Sequence, residues 1–174
     1  MNRIMIVGAP GSGKSTLARK IGEATGLPVF HMDHIHWKSG WIERSRSDKI
    51  NLAQEIEARE RWIFEGGLSS TFDTRAERAE LIIWLDFHIL LRLWRVFART
   101  VRSFGKTRPD LPDGCPEKFS LEFYHFIIRT NGRSRARIKK LLAEFSDTPS
   151  QRFSSVAAID RWLEIVNRQG LSAS

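Results

Sequence analysis

The sequence predicts an α/β fold, a three-layer α/β/α sandwich on a parallel sheet of about five strands. Three observations lead there. Short apolar runs alternate with longer amphipathic stretches, as βα repeats require. A glycine-rich loop, Gly8 to Thr16, stands between the first apolar run and the first amphipathic stretch. Three of the runs end in an acid, Asp33, Glu65 and Asp86, and such strand ends form the ligand-binding edge of a parallel sheet. With 174 residues, 41% hydrophobic and 28% charged, the chain is expected to form a single domain, 1–174, with its own core.

The elements follow in order. Arg3–Val7 is a buried strand, and Lys14–Ala24 a helix with Leu17, Ala18 and Ile21 on one face, closed at Thr25-Gly26. Pro28–Met32 is a second strand, reaching Asp33. Arg46–Glu60 has a helical apolar stripe at Ile50, Leu52, Ala53 and Ile56. Trp62–Phe64 and Leu81–Leu85 are strands three and four, followed by a long helix over 88–104 that Asp86 is placed to cap. Residues 105–118 carry Pro109, Pro112, Gly114 and Pro116 and predict an irregular, mobile loop. Two helices are expected over 119–129 and 134–145, parted by Asn131-Gly132. Gln151–Phe153 is a short last strand before a helix capped by Ser154 or Ser155 and running to Arg168.

Gly8-Ala9-Pro10-Gly11-Ser12-Gly13-Lys14-Ser15-Thr16 fits the phosphate-binding pattern G-x-x-x-x-G-K-[ST], in the strand–loop–helix context it needs. Glycines let the backbone N–H groups converge on an anion at a helix N-terminus. Lys14 supplies a cation for β- and γ-phosphates, and Ser15 a hydroxyl for Mg²⁺. ATP and Mg²⁺ are therefore the expected cofactors. Asp33 can orient an acceptor hydroxyl, take its proton or, with Ser15 and Glu65, hold the Mg²⁺ shell. His31 and Asp33 alternate along the expected strand and so share a face that can meet an ion, although the spacing matches no common zinc pattern. His34, His36 and Trp37 are expected to line an acceptor pocket, with Trp37 and Trp41 either stacking on substrate or packing in the core.

The net charge of +8 is concentrated: between His88 and Lys140 thirteen Arg and Lys face four Asp and Glu. Such a block suits a polyanionic partner, with ATP favoured over nucleic acid because no helix-turn-helix or RNA-binding aromatic motif accompanies it. The single cysteine, Cys115, excludes an internal disulfide. No apolar stretch is long enough for a membrane span, so a cytoplasmic location is the default expectation.

These motifs together resemble the P-loop NTPases of the adenylate kinase and shikimate kinase group. Within it the chain is similar to the adenylate-kinase-related, FlaR-like topology modulation proteins. The resemblance rests on Gly8–Thr16, on Asp33 in a His-x-Asp-x-x-x-Trp setting, and on Arg61-Trp62-Ile63-Phe64-Glu65-Gly66. Leu85-Asp86, Leu91–Val96, Thr107–Asp110 and Gly114–Glu117 extend it. It implies a kinase that moves the γ-phosphate of ATP to a small-molecule or nucleotide acceptor. Gly11–Thr16 would hold the phosphates, Arg95 would stack on adenine and Arg99 would reach phosphate. Residues 105–131 would supply a helical lid, and Arg133 and Arg137, at i and i+4, would bring charge onto the transferring group. The topology modulation resemblance also leaves open a nucleic-acid-associated ATPase or regulator.

Two departures leave the acceptor open. Nucleoside-monophosphate kinases follow strand three with Asp-Gly and then Phe-Pro-Arg, whose arginine grips the acceptor phosphate. Here the run is Glu65-Gly66-Gly67-Leu68-Ser69, with Arg44 or Arg75 as candidate replacements. Shikimate kinases carry an Asp-x-Asp pair after strand two, whereas Asp33 is flanked at two residues' distance by His31 and Ile35.

Overall fold

A computed structural model describes residues 1–171. Strands β1 (Arg3–Gly8), β2 (Val29–His31), β5 (Trp62–Glu65), β6 (Leu81–Leu85) and β7 (Ser150–Phe153) form one sheet in the order β2-β5-β1-β6-β7. Every pairing in it is parallel. A separate two-stranded antiparallel ribbon, β3 (Trp37–Lys38) and β4 (Ile42–Glu43), stands apart. Helices α1 (Lys14–Thr25), α2 (Met32–His36), α3 (Arg46–Glu57), α4 (Phe72–Arg78), α5 (Ile89–Ser103), α6 (Leu121–Glu144) and α7 (Val156–Gln169) complete the fold.

Strand periodicity explains the apolar runs. In β1, Ile4 and Ile6 enter one core with Leu17, Ile21 and Leu163 from α1 and α7. Met5 and Val7 enter the other, with Ile35, Ala53, Ala76, Ile138 and Leu141 from α2, α3, α4 and α6. Strand β6 divides in the same way, Leu81, Ile83 and Leu85 against Ile82 and Trp84. A strand covered on both faces has no polar side to display, so its sequence reads as a continuous apolar run. The three-layer α/β/α architecture and the five-stranded parallel sheet are therefore those the sequence predicts.

Four local expectations change. The second strand stops at His31, and Met32–His36 is helical. Asp33 thus leaves the strand register, and the shared face proposed for His31 and Asp33 does not form. The two helices expected around Asn131-Gly132 are one 24-residue helix, α6. Asn131 there accepts from the Arg92 guanidinium, and the one Gly costs only about 1 kcal/mol in a helix this long. Asp86 does not cap α5. His88 is the N-cap, accepting from Leu90 N, while Asp86 pairs with Arg135 at 2.9 Å and with Arg152. Helix α4 lies in a stretch for which no element is predicted.

Candidate functional site

The glycine loop connects β1 to α1 at the carboxyl edge of the sheet. Helix α1 begins at Lys14, and its N-cap Gly13 is left-handed (φ 93°) with no side-chain cap. No acid occupies the first turn, so the N–H groups and the positive end of the helix dipole remain available to an anion. A Cβ on Gly13 would meet only Arg95 Nη1, at 3.8 Å. Gly11 is glycine for a different reason: a Cβ there would stand 2.6 Å from the Arg92 carbonyl oxygen. Helix α5 lies directly against the loop.

Arginines of α5 make that contact. Arg92, 2% exposed, donates to Phe87 O and to Pro10 O and reaches Asn131 of α6. Arg95 donates to Ser12 O at 3.1 Å and lies 4.5 Å over the Phe87 ring. Arg99 pairs with Glu117 at 3.1 Å, while its buried Nε has no partner. Burial pushes the Arg92 and Arg95 guanidinium pKa values down. Ser12 Oγ is likewise buried without a partner. Arg92 was not singled out from sequence, although its spacing to Arg95 and Arg99 already placed all three on one helical face.

Glu65, 3% exposed at the end of β5, organises the carboxylate side. Its Oε1 accepts from Ser15 Oγ at 2.9 Å and lies 2.8 Å from His31 Nδ1. The parallel register sets His31 opposite Glu65, so the His31–Glu65 pair follows from strand pairing. This oxygen-rich pair, Ser15 hydroxyl and Glu65 carboxylate, has the chemistry that a hard cation such as Mg²⁺ takes. Lys14 Nζ lies 3.4 Å from Ala9 O. Thr16 is exposed on the first turn of α1.

Asp33 is solvent-accessible on α2, yet its carboxyl pKa is raised. Crowding by the surrounding protein is the main cause. The negative charges of Glu65 and Asp110 add to it, and Lys14 and Arg108 oppose it. Lys14 and, from the 104–120 segment, Arg108 and Asp110 are thus close enough for their charges to act on Asp33.

That segment is irregular, as expected, but it is tied down. His34 Nε2 is hydrogen-bonded to Pro109 O, Gly40 N donates to Gly114 O, Trp41 Nε1 donates to Pro116 O and Cys115 Sγ donates to Lys38 O. At its other end buried Glu117 accepts from Arg99, Thr100 and Arg108, and Arg108 also pairs with Asp110 at 2.5 Å. The segment forms a strap between α5 and the α2–β3–β4 region. Trp37 and Trp41 pack edge to face at 5.4 Å beneath it, the packing role rather than a free stacking surface.

Neither candidate replacement for the acceptor arginine is free. Arg75 is fully buried and donates to Gly66 O, Leu68 O and Thr71 O. Burial pushes its pKa down to about 10, against Glu57 and Glu65, so it stays cationic at neutral pH. Arg44 donates to the carbonyls of His34, Ile35 and Trp37 and so closes the C-terminus of α2. Arg133 and Arg137 both lie on α6 and are exposed. Arg137 donates to Ser69 O at 2.6 Å and lies over Phe72, which sets its charge beside the loop where Phe-Pro-Arg is missing.

Known proteins agree with this architecture. The family model of the ATPases associated with various cellular activities (AAA) matches residues 4–86, the stretch from β1 through β6. A shikimate kinase of Rhodococcus jostii (strain RHA1) is 26% identical over 171 residues, covering 83% of this chain and 98% of that one. Among solved structures, shikimate kinase from Acinetobacter baumannii in complex with shikimate superposes with a TM-score of 0.57 at 18% identity, over 97% of this chain and 92% of the other. Deoxyadenosine kinase from M. mycoides gives 0.56 at 13%, over 96% and 97%. No helix of the described residues is long and apolar enough to cross a membrane. The glycine loop, the sheet order and these likenesses together show a kinase-like α/β fold built on a P-loop motif.

Proposed function

We propose that the chain is an ATP-dependent kinase that transfers the γ-phosphoryl group to a hydroxyl of a small-molecule or nucleotide acceptor. The observation that carries this reading is the Ser15–Glu65 hydrogen bond at the end of the glycine loop, with the charges of Lys14 and Glu65 both acting on Asp33.

The assigned roles follow from position. The N–H groups of Gly8 to Thr16 cradle the phosphates, and Lys14 neutralises the β- and γ-oxygens. Ser15 and Glu65 would hold Mg²⁺, directly or through water, with Asp33 proposed to contribute to its shell. The ion supplies charge neutralisation across the β- and γ-phosphates. Asp33 orients the acceptor hydroxyl and takes its proton, for which a raised pKa suits a base working near neutrality. Arg95 offers its guanidinium face to the adenine. Arg99, with its unpartnered Nε, and Arg133 and Arg137 from α6 meet the developing charge on the phosphoryl group. A reducing cytoplasmic setting, rich in ATP, suits this chemistry and the free Cys115.

The test is transfer from γ-labelled ATP with Mg²⁺ into nucleotides, nucleosides, sugars and hydroxy acids, with DNA in a parallel reaction. A labelled small product that is lost in Lys14→Ala establishes the kinase and names its acceptor. Phosphate release without a labelled product, accelerated by DNA, would replace it with the nucleic-acid-associated ATPase of the topology modulation type.

A further inference from the structure

Helix α5 is amphipathic with its polarity reversed. Its arginines Arg92, Arg95 and Arg99 turn inward to the glycine loop and to Glu117. Its large apolar side chains turn to solvent: Leu90 68% exposed, Trp94 63%, Phe97 43% and Val101 62%, continued by Phe104 at 66% just past the helix end. Their spacing is 4-3-4-3, the alternation that keeps one seam of an α-helix facing another helix. Trp94 and Phe97 already touch, with ring centroids 5.8 Å apart. Four such side chains on a 15-residue helix and a fifth at its C-cap form a row at the upper end of what a monomer surface carries, where apolar patches tend to be functional.

We propose that this seam is a homodimer interface, in which α5 of one copy packs against α5 of a second, related by a two-fold axis. Three arguments select a second copy. The heptad-like spacing is the signature of a helix partner, and a face with no charged residue on its seam is self-complementary about a two-fold axis. The exposed parts of the five side chains amount to roughly 600 Å² per copy, so a symmetric pair buries about 1,200 Å², the lower limit of a stable specific interface. An amphipathic helix that binds an anionic lipid surface needs its basic residues free for headgroups. Here three of the four arginines on α5 are engaged within the chain itself, and only Arg102 is exposed. An interface of this kind would also clamp, from outside, the helix that carries Arg95 and Arg99. The inference rests on surface geometry and stands whether or not the chain transfers phosphate.

Sedimentation of the full chain across micromolar concentrations, alone and with phosphatidylserine vesicles, tests it. The expected result is a species of twice the 20.1 kDa chain mass that weakens at least tenfold in Trp94→Glu and is abolished in Trp94→Glu/Val101→Asp. Both positions are solvent-exposed, so the variants should keep the parent's circular dichroism and melting profile. A parent that stays monomeric at 100 µM overturns the proposal. So does a dimer indifferent to both variants, which would place the interface elsewhere. A monomer that co-sediments with the vesicles through Trp94 would overturn it in favour of a lipid surface.

Discussion

The phosphate side and the acceptor side of the cleft are built in opposite ways. The proposed phosphate side is local: strand β1, the loop of residues 9–13 and the first turn of α1 are contiguous, and their backbone N–H groups would do the binding. The proposed acceptor side is assembled from segments about 75 residues apart, with residues 34–41 held to residues 109–116 by five hydrogen bonds. Local sites can be inherited intact by many enzymes, whereas a site composed of distant loops can be retuned by changing either loop. The difference predicts that substitutions on the two sides separate ATP binding from acceptor use.

Asp33→Asn should give the largest separation. Loss of a general base lowers kcat by about 10²–10⁴, while ATP affinity, measured by calorimetry, stays within about twofold. The acid limb of the parent's kcat/KM profile should lie above the ordinary carboxylate range, because crowding and then Glu65 raise the Asp33 pKa. The unfolded chain loses this proton at lower pH than the folded one. It therefore binds fewer protons between the two pKa values, and stability falls as pH rises through that window. The Asn variant should consequently melt no lower than the parent at pH 7. A variant that keeps full turnover would remove Asp33 from the chemistry.

Lys14→Ala should erase the separation instead of sharpening it. One well-placed charge on the phosphates contributes on the order of 10²–10³ in kcat, and the same lysine binds ATP in the ground state. Turnover and ATP affinity should fall together. A loss of affinity alone would mean that Lys14 holds ATP without assisting transfer.

Arg75→Met probes the scaffold between the two sides. The substitution leaves three carbonyls, of Gly66, Leu68 and Thr71, without their guanidinium donors. Leu68 O still accepts from Thr71 N and Oγ1, and Thr71 O from Thr74 Oγ1, so Gly66 O is the acceptor left unpaired and denaturant unfolding should show a loss of about 1–3 kcal/mol. An unchanged midpoint would indicate that the 66–71 loop can rearrange and that Arg75 is available to a ligand after all.

How much was legible in sequence follows the same division. The loop, strands β1, β5 and β6 and the two-sided core could be read because each depends on residues next to one another. For the same reason the sequence narrows the cap of α7 to Ser154 or Ser155, and Ser155 fills it. Glu65 was found as a strand-end acid, but its hydrogen bond to His31 needed the register of β2 on β5. Helix α2 was missed because five residues carry too little periodicity to outweigh the extended reading of Val29 to His31. Helix α4 was missed because Arg75, a charged residue, occupies the centre of its buried face, where a pattern search looks for an apolar one. The roles of Arg44 and Glu117 depend on partners 7 to 18 residues away in sequence, and no local spacing announces them.

Glu117 gives the smallest expected effect and the sharpest test of where the strap belongs. Its carboxylate is 5% exposed and neutralises Arg99 and Arg108 while accepting from Thr100. Gln at this position keeps the shape but loses the charge and turns an amide N–H₂ toward at least one guanidinium. The strap should then loosen at its α5 end. If the strap belongs to the acceptor side, KM for the acceptor rises about tenfold, the scale of one charge-assisted hydrogen bond. Acceptor-free ATP hydrolysis should rise at the same time, since water gains entry to the cleft. ATP affinity should hold or improve, because Arg99 is released toward the phosphates. Weaker ATP binding with an unchanged acceptor KM would reverse the assignment. The Arg99–Glu117 pair would then position Arg99 for the nucleotide, and the strap would be an extension of the phosphate side.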